Sequence, residues 1–294
     1  MRRSILIMGV VCALLLAGCG EETPAATPPA SEAPAQRPAA GDHKLTLQVA
    51  GKERTFLVHA PPGYTGDKPV PLVVGLHFYP GSGERLRDMI EMDAKADEHG
   101  FLVAYPDGVA GGFNALICCG AEDDVAFLKA LTDRLIADWG VDADRVYATG
   151  ISNGADMSFR AAVEATGVFA AIGAVSGGLG GPRLADPGFM PKKPVSVVTI
   201  IGGLDQYYEA FQAGLKTWRE RLKCAPVKNP ASGMKGVERS SARCADGSDL
   251  EVYVVADMGH SWPGAKNGQM ALPDAPIVAT DVLWDFFAAH PRIS

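Results

Sequence analysis

The 294-residue sequence predicts an α/β protein with a mostly parallel central sheet covered by helices on both faces. Three observations carry that prediction. Short, nearly continuous apolar runs recur along the chain, as strands buried on both faces require. Stretches with apolar residues at helical spacing separate them. Reactive side chains fall directly after three of the runs, at the carboxyl ends of strands, where ligands sit in sheets of this kind.

The elements follow in order. Residues 44–49 alternate polar and apolar and read as an edge strand; RTFLVHAPPGY reads as a second strand, stopped by Pro61 and Pro62. VPLVVGLH (70–77) is a buried strand. YPGSGERLRDMIEMDAKADEHG reads as a loop and then one amphipathic helix ended by Gly100. Residues 101–105 form a short strand before the turn Pro106-Asp107-Gly108. Val125, Leu128, Leu131 and Leu135 place a helix over 123–139. Residues 145–149 are a strand, and a helix runs from Ser152 to about Ala165. FAAIGAVSG and PVSVVTIIG are strands, EAFQAGLKTWRERL a helix, LEVYVVADMG a strand and ATDVLWDFFAAH the closing helix.

The amino terminus is a separate matter. Arg2 and Arg3 precede an apolar run over 5–16, too short for a membrane span and right for a signal-peptide core. Leu16-Ala17-Gly18-Cys19 is similar to a bacterial lipobox, so residues 1–18 are expected to be removed and Cys19 lipidated, anchoring the protein to a membrane surface. Residues 19–41 are rich in proline and alanine and read as a disordered tether. Residues 42–294 are the folded domain, a common size for one α/β unit. The formal net charge is -7 and no basic block stands out, which argues against a nucleic-acid partner.

Of the six cysteines, Cys118, Cys119, Cys224 and Cys244 remain in the folded part. An exported chain keeps disulfides, and Cys224–Cys244 is the simplest bridge. Cys118 and Cys119 are neighbours whose Cα atoms, about 3.8 Å apart, lie below the usual disulfide range; their state stays open. With no second C-x-x-C and no H-E-x-x-H, no metal is expected.

The chemistry centres on ATGISNGADM (148–157), where Gly150, Ser152 and Gly154 spell G-x-S-x-G between a strand and a helix. A serine hydroxyl is a weak nucleophile until a base takes its proton. A histidine supplies the base, and a carboxylate fixes its tautomer and steadies the imidazolium. In the α/β-hydrolase fold the chain order is nucleophile, acid, histidine. Here Ser152 follows the strand RVYAT, Asp205 follows VSVVTIIGGL and His260 follows LEVYVVADMG. Asp249 and Asp257 compete for the acid. The amide of Asn153, after the nucleophile, is the first expected oxyanion donor. The second is assigned to the loop opened by His77, at Tyr79 or Phe78.

Several stretches resemble the secreted polyhydroxybutyrate depolymerase and feruloyl/acetylxylan esterase group of α/β-hydrolases: PLVVGLHFYPGSG, VAYPDG, FNALICCG with DDVAFLKAL, DRVYATGISNGADM and MGHSWPG. The resemblance runs from about residue 54 to 290. It implies ester hydrolysis through an acyl-enzyme, no cofactor, export, and the triad Ser152, Asp205, His260, with His77 and Trp262 at the substrate cleft. Three positions depart from the pattern. Phe78 stands where glycine is usual, a bulk expected to tilt the donor amide or narrow the acyl pocket. IIGGLDQYY lacks the usual His-Gly before the acid, and Ala155 replaces a common glycine. The substrate is expected to be a small-molecule or polymeric carboxylic ester of hydroxyalkanoate, feruloyl or acetyl type. The alternatives are a peptidase or acyltransferase on the same scaffold, or an inactive surface lipoprotein that binds a ligand in the cleft. The oligomeric state is not legible.

Overall fold

The structure is a computed structural model and describes residues 37–228 and 233–293. The expected signal segment, Cys19 and most of the expected tether lie outside the described residues. Arg37, near the tether's end, already donates to the Ala137 carbonyl at 2.8 Å, and the first strand starts at Gly41.

Ten strands form one sheet. They are β1 (Gly41–Val49), β2 (Lys52–Ala60), β3 (Val70–Leu76), β4 (Leu102–Pro106), β5 (Val141–Ile151), β6 (Ala171–Val175), β7 (Ser196–Gly202), β8 (Ala225–Val227), β9 (Val237–Arg243) and β10 (Asp249–Val255). The spatial order is β1-β2-β4-β3-β5-β6-β7-β10-β9-β8. The six central strands, from β4 to β10, are parallel. The hairpin β1–β2 flanks one side and β9–β8 the other, both antiparallel. Two-residue strands β11 (Trp262–Pro263) and β12 (Ala271–Leu272) pair separately.

Strand periodicity divides the core into two halves. Leu72, Val74 and Leu76 of β3 face one cluster, which holds Phe127, Leu131, Met157, Phe159, Leu215 and Trp218. These come from α3 (Asp124–Trp139), α4 (Asn153–Glu164) and α5 (Tyr208–Leu222). Val73 faces the other cluster, with Leu86, Met92, Leu283 and Phe287 from α1 (Gly83–Ile90), α2 (Met92–His99) and α6 (Ala279–Ala289). The expected α/β-hydrolase architecture is present.

Two elements differ from expectation. The single helix expected before Gly100 is two, broken at Glu91, which takes a left-handed conformation (φ 51°). The break is supported from outside: the Thr280 hydroxyl donates to the Ile90 carbonyl at 2.5 Å, supplying a donor to an acceptor freed at the helix end. Strands β8 and β9 fall in the polar stretch between Cys224 and Cys244, where no strand was expected. β8 is fully exposed and much of β9 faces solvent, so neither carries an apolar run. Cys224 and Cys244 are disulfide-bonded. Cys118 and Cys119 are also bonded to each other, with Cα atoms 3.7 Å apart.

Candidate active site

The G-x-S-x-G turn joins β5 to α4. Ser152 sits between them at φ 57°, ψ -121°, a conformation costly for a residue with a side chain and held here by its surroundings. Its backbone N–H donates to the Val175 carbonyl of β6 at 3.1 Å. The flanking glycines are explained by close approach to β3. A Cβ on Gly150 would lie 2.5 Å from the Leu76 carbonyl oxygen, and one on Gly154 only 2.0 Å from it. Ala155, the departure from the family's glycine, is accommodated by Gly177, where an added Cβ would sit 2.6 Å from the Ala155 methyl.

Asp205 lies on the turn after β7 with its side chain fully buried, and His260 on the loop after β10. The His260 Nδ1 is 2.8 Å from the Asp205 Oδ2. The other carboxyl oxygen accepts from the Tyr207 amide at 3.0 Å. The pair therefore fixes the ring with Nδ1 protonated and leaves Nε2 as the basic nitrogen. The Tyr207 ring packs edge-on against the imidazole, centroids 5.5 Å apart. The GG of IIGGLDQYY lets the Asp205 and His260 loops meet: a Cβ on Gly202 would be 2.2 Å from the Met258 carbonyl. That carbonyl instead accepts from the Leu204 amide at 2.9 Å. The competing acids are placed elsewhere. Asp249 opens β10 at the opposite strand end and pairs with Arg243 and His290, and Asp257 is exposed.

Ser152 and His260 line the same cavity of about 470 Å³. Ile117, Leu179, Ala210 and Phe211 give it apolar walls, and Cys118 of the adjacent-cysteine disulfide borders it. Asn153 opens α4, so its N–H has no partner inside the helix and is available to an oxyanion. Its buried side chain has a second job. The amide accepts from the Phe113 N–H at 2.8 Å and donates to the Phe113 and Cys118 carbonyls, both at 3.1 Å. It thereby pins the cysteine loop to the Ser152 turn.

His77 and Trp262, expected at the substrate cleft, are corrected by the structure: both are fully buried and neither borders the cavity. The His77 ring donates from Nδ1 to the Phe78 carbonyl at 2.7 Å and accepts the Gly108 N–H at Nε2, 2.9 Å away. Burial lowers its pKa, in keeping with a neutral ring bridging two backbone segments. Trp262 packs in the α1/α2/α6 half of the core and donates to Thr280 at 3.3 Å. Phe78 is also buried, in that same half of the core with the Arg85 guanidinium over its ring, and it does not border the cavity. The Phe78 ring therefore does not narrow this cavity. Tyr79, the other candidate donor, has a half-exposed side chain and precedes a cis proline.

Two polar residues of the cavity escaped the sequence reading. Ser176, directly after β6, accepts from the Ser261 N–H at 3.2 Å and donates to the Ser261 carbonyl at 3.0 Å, clamping the residue next to His260. Asp156, one helical turn after Ser152, is buried in the cavity wall, and burial raises its pKa to about 7. Neither stands in a pattern that marks it, because their partners are 85 and 22 residues away in sequence.

Comparison with known proteins points one way. The model of the family described as "Esterase PHB depolymerase" matches residues 55–185. NocK of Nocardia uniformis subsp. tsuyamanensis, a protein named as a candidate esterase, is 30% identical over 335 aligned residues, covering 95% of this chain and 94% of that one. Feruloyl esterase C of Emericella nidulans is 28% identical over 254 residues, covering 82% of this chain and 86% of its own. Among solved structures, the acetyl xylan esterase from Aspergillus awamori superposes with a TM-score of 0.60 at 18% identity, covering 75% of this chain and 94% of that chain, which bears on the fold.

Proposed function

The chain belongs to the PHB-depolymerase esterase family and is a carboxylic ester hydrolase, and we propose that it works as an exported serine esterase with Ser152 as nucleophile, His260 as base and Asp205 as orienting acid. The observation that carries this reading is the Asp205–His260 hydrogen bond, with His260 lining the same cavity as Ser152. His260 Nε2 takes the Ser152 proton as Oγ attacks the ester carbonyl. The tetrahedral oxyanion is stabilised by the Asn153 amide and by a second amide from the loop at Phe78 and Tyr79. Collapse expels the alcohol, protonated by His260, and leaves an acyl-enzyme. Water activated by the same histidine then releases the acid.

The apolar walls suit an aliphatic or aromatic acyl group; the PHB-depolymerase family match and a relative named as a feruloyl esterase support testing hydroxyalkanoate and feruloyl esters first, with acetyl esters beside them. Residues 1–18 would act as the export signal, with lipid at Cys19 and a tether to the domain. Among the described residues no helix is long and apolar enough to cross a membrane. The test is hydrolysis of nitrophenyl esters of increasing acyl length beside matched amides. Ester turnover that Ser152→Ala abolishes supports the proposal; turnover that survives in that variant refutes it.

A further inference from the structure

The carboxyl of Asp156 is not part of the triad, yet it stands in the wall of the substrate cavity. Its residue is 7% exposed and its backbone N–H donates to the Ser152 carbonyl at 3.0 Å, so it is fixed to the nucleophile turn. One side-chain oxygen accepts the Gly178 N–H at 2.9 Å. The second has no protein partner among the described residues. Among the described residues no lysine or arginine lines the cavity; the other lining residues include Ser176, Leu179, Tyr207 and Phe211. A carboxyl placed among such walls without a counter-cation is costly, and an incoming donor relieves that cost.

We infer that Asp156 is a specificity-determining residue whose free oxygen accepts a hydrogen bond from a donor substituent, a hydroxyl or an ammonium, on the ester. The inference rests on the esterase reading of the same cavity. The site therefore prefers esters carrying such a donor near the reacting carbonyl over unsubstituted esters of equal length. The raised pKa fits a carboxyl waiting for a partner: with nothing bound the acid form is favoured, and a donor on the ester pairs with the carboxylate, the form that prevails above about pH 7, where the comparison is made. The bond to Gly178 gives the side chain its orientation, so one oxygen is structural and the other is left for the ligand.

The test compares kcat/KM for matched nitrophenyl esters that are unsubstituted, hydroxyl-substituted or amino-substituted, in wild type, Asp156→Asn and Asp156→Leu. A parallel series carries the substituent on the alcohol. Wild type is expected to favour one donor-bearing ester by about 10- to 100-fold, and Asp156→Leu to bring that ratio close to one. Asparagine has a single acceptor oxygen, which the Gly178 amide takes, and turns its NH2 toward the cavity, so Asp156→Asn is also expected to lose the ratio. The ester that wild type favours, hydroxyl- or amino-substituted, identifies the donor. Equal kcat/KM for all esters in wild type, or a fall in Asp156→Leu that leaves the ratio unchanged, overturns the inference while the esterase reading stands. Absence of any ester hydrolysis in wild type overturns that reading, and the inference with it.

Discussion

Replacing Asp156 with asparagine is expected to change how stability depends on pH. The carboxyl is almost completely removed from water, and its pKa rises from the ordinary 3.8 to about 7 because burial penalises the charged form. The folded chain thus holds this proton more tightly than the unfolded chain, so stability falls as pH rises from about 4 to about 7 and levels off above. Each tenfold difference in proton affinity is about 1.4 kcal/mol, so ionisation costs the folded state about 4 kcal/mol by pH 8.5. Asparagine keeps the volume and an oxygen for the Gly178 amide but does not titrate. The other titratable residues on the cavity wall, His260 and Tyr207, are common to both proteins and cancel in the comparison. The assay is urea unfolding of wild type and variant at pH 4.5 and 8.5. The stability difference is expected to move by about 3 kcal/mol in favour of the variant between the two. Parallel pH profiles would refute the claim that Asp156 is held protonated by burial.

Three further perturbations test separate parts of the account. Asp205→Asn removes the acceptor that sets the His260 tautomer, and kcat is expected to fall by about 10⁴-fold with the fold intact by circular dichroism. Gly154→Ala drives a methyl into the Leu76 carbonyl, 2.0 Å away. Backbone has to move, so a loss of roughly 1–3 kcal/mol in urea unfolding is expected, with lower activity because the nucleophile turn shifts. Cys224→Ser opens the loop that the disulfide closes and is expected to cost about 3 kcal/mol, measured by unfolding with and without reductant on wild type as control.

The parallel core of the sheet was legible because strands buried on both faces are apolar along their length: residues 70–77, 145–149 and PVSVVTIIG became β3, β5 and β7. The polar strands β8 and β9 at the sheet's edge were not, since an exposed edge needs no apolar face; β9 pairs with β10, and β8 with β9. The break at Glu91 was hidden for another reason: the residue that satisfies the Ile90 carbonyl is Thr280, far along the chain. At the site, the chain order of serine, acid and histidine located the three candidates. Burial was not legible. His77 and Trp262 carry chemically suggestive side chains, but both spend them on internal partners, while Ser176 and Asp156, in unremarkable contexts, reach the cavity.

The central claim is a nucleophile at Ser152 activated by an assembled base and oxyanion hole. Its most direct test is intact-mass spectrometry of the folded domain after reaction with a fluorophosphonate probe, followed by peptide mapping. The account predicts one adduct, on Ser152, that Ser152→Ala abolishes. An unlabelled folded protein, or an adduct on another cavity serine such as Ser176, would contradict it.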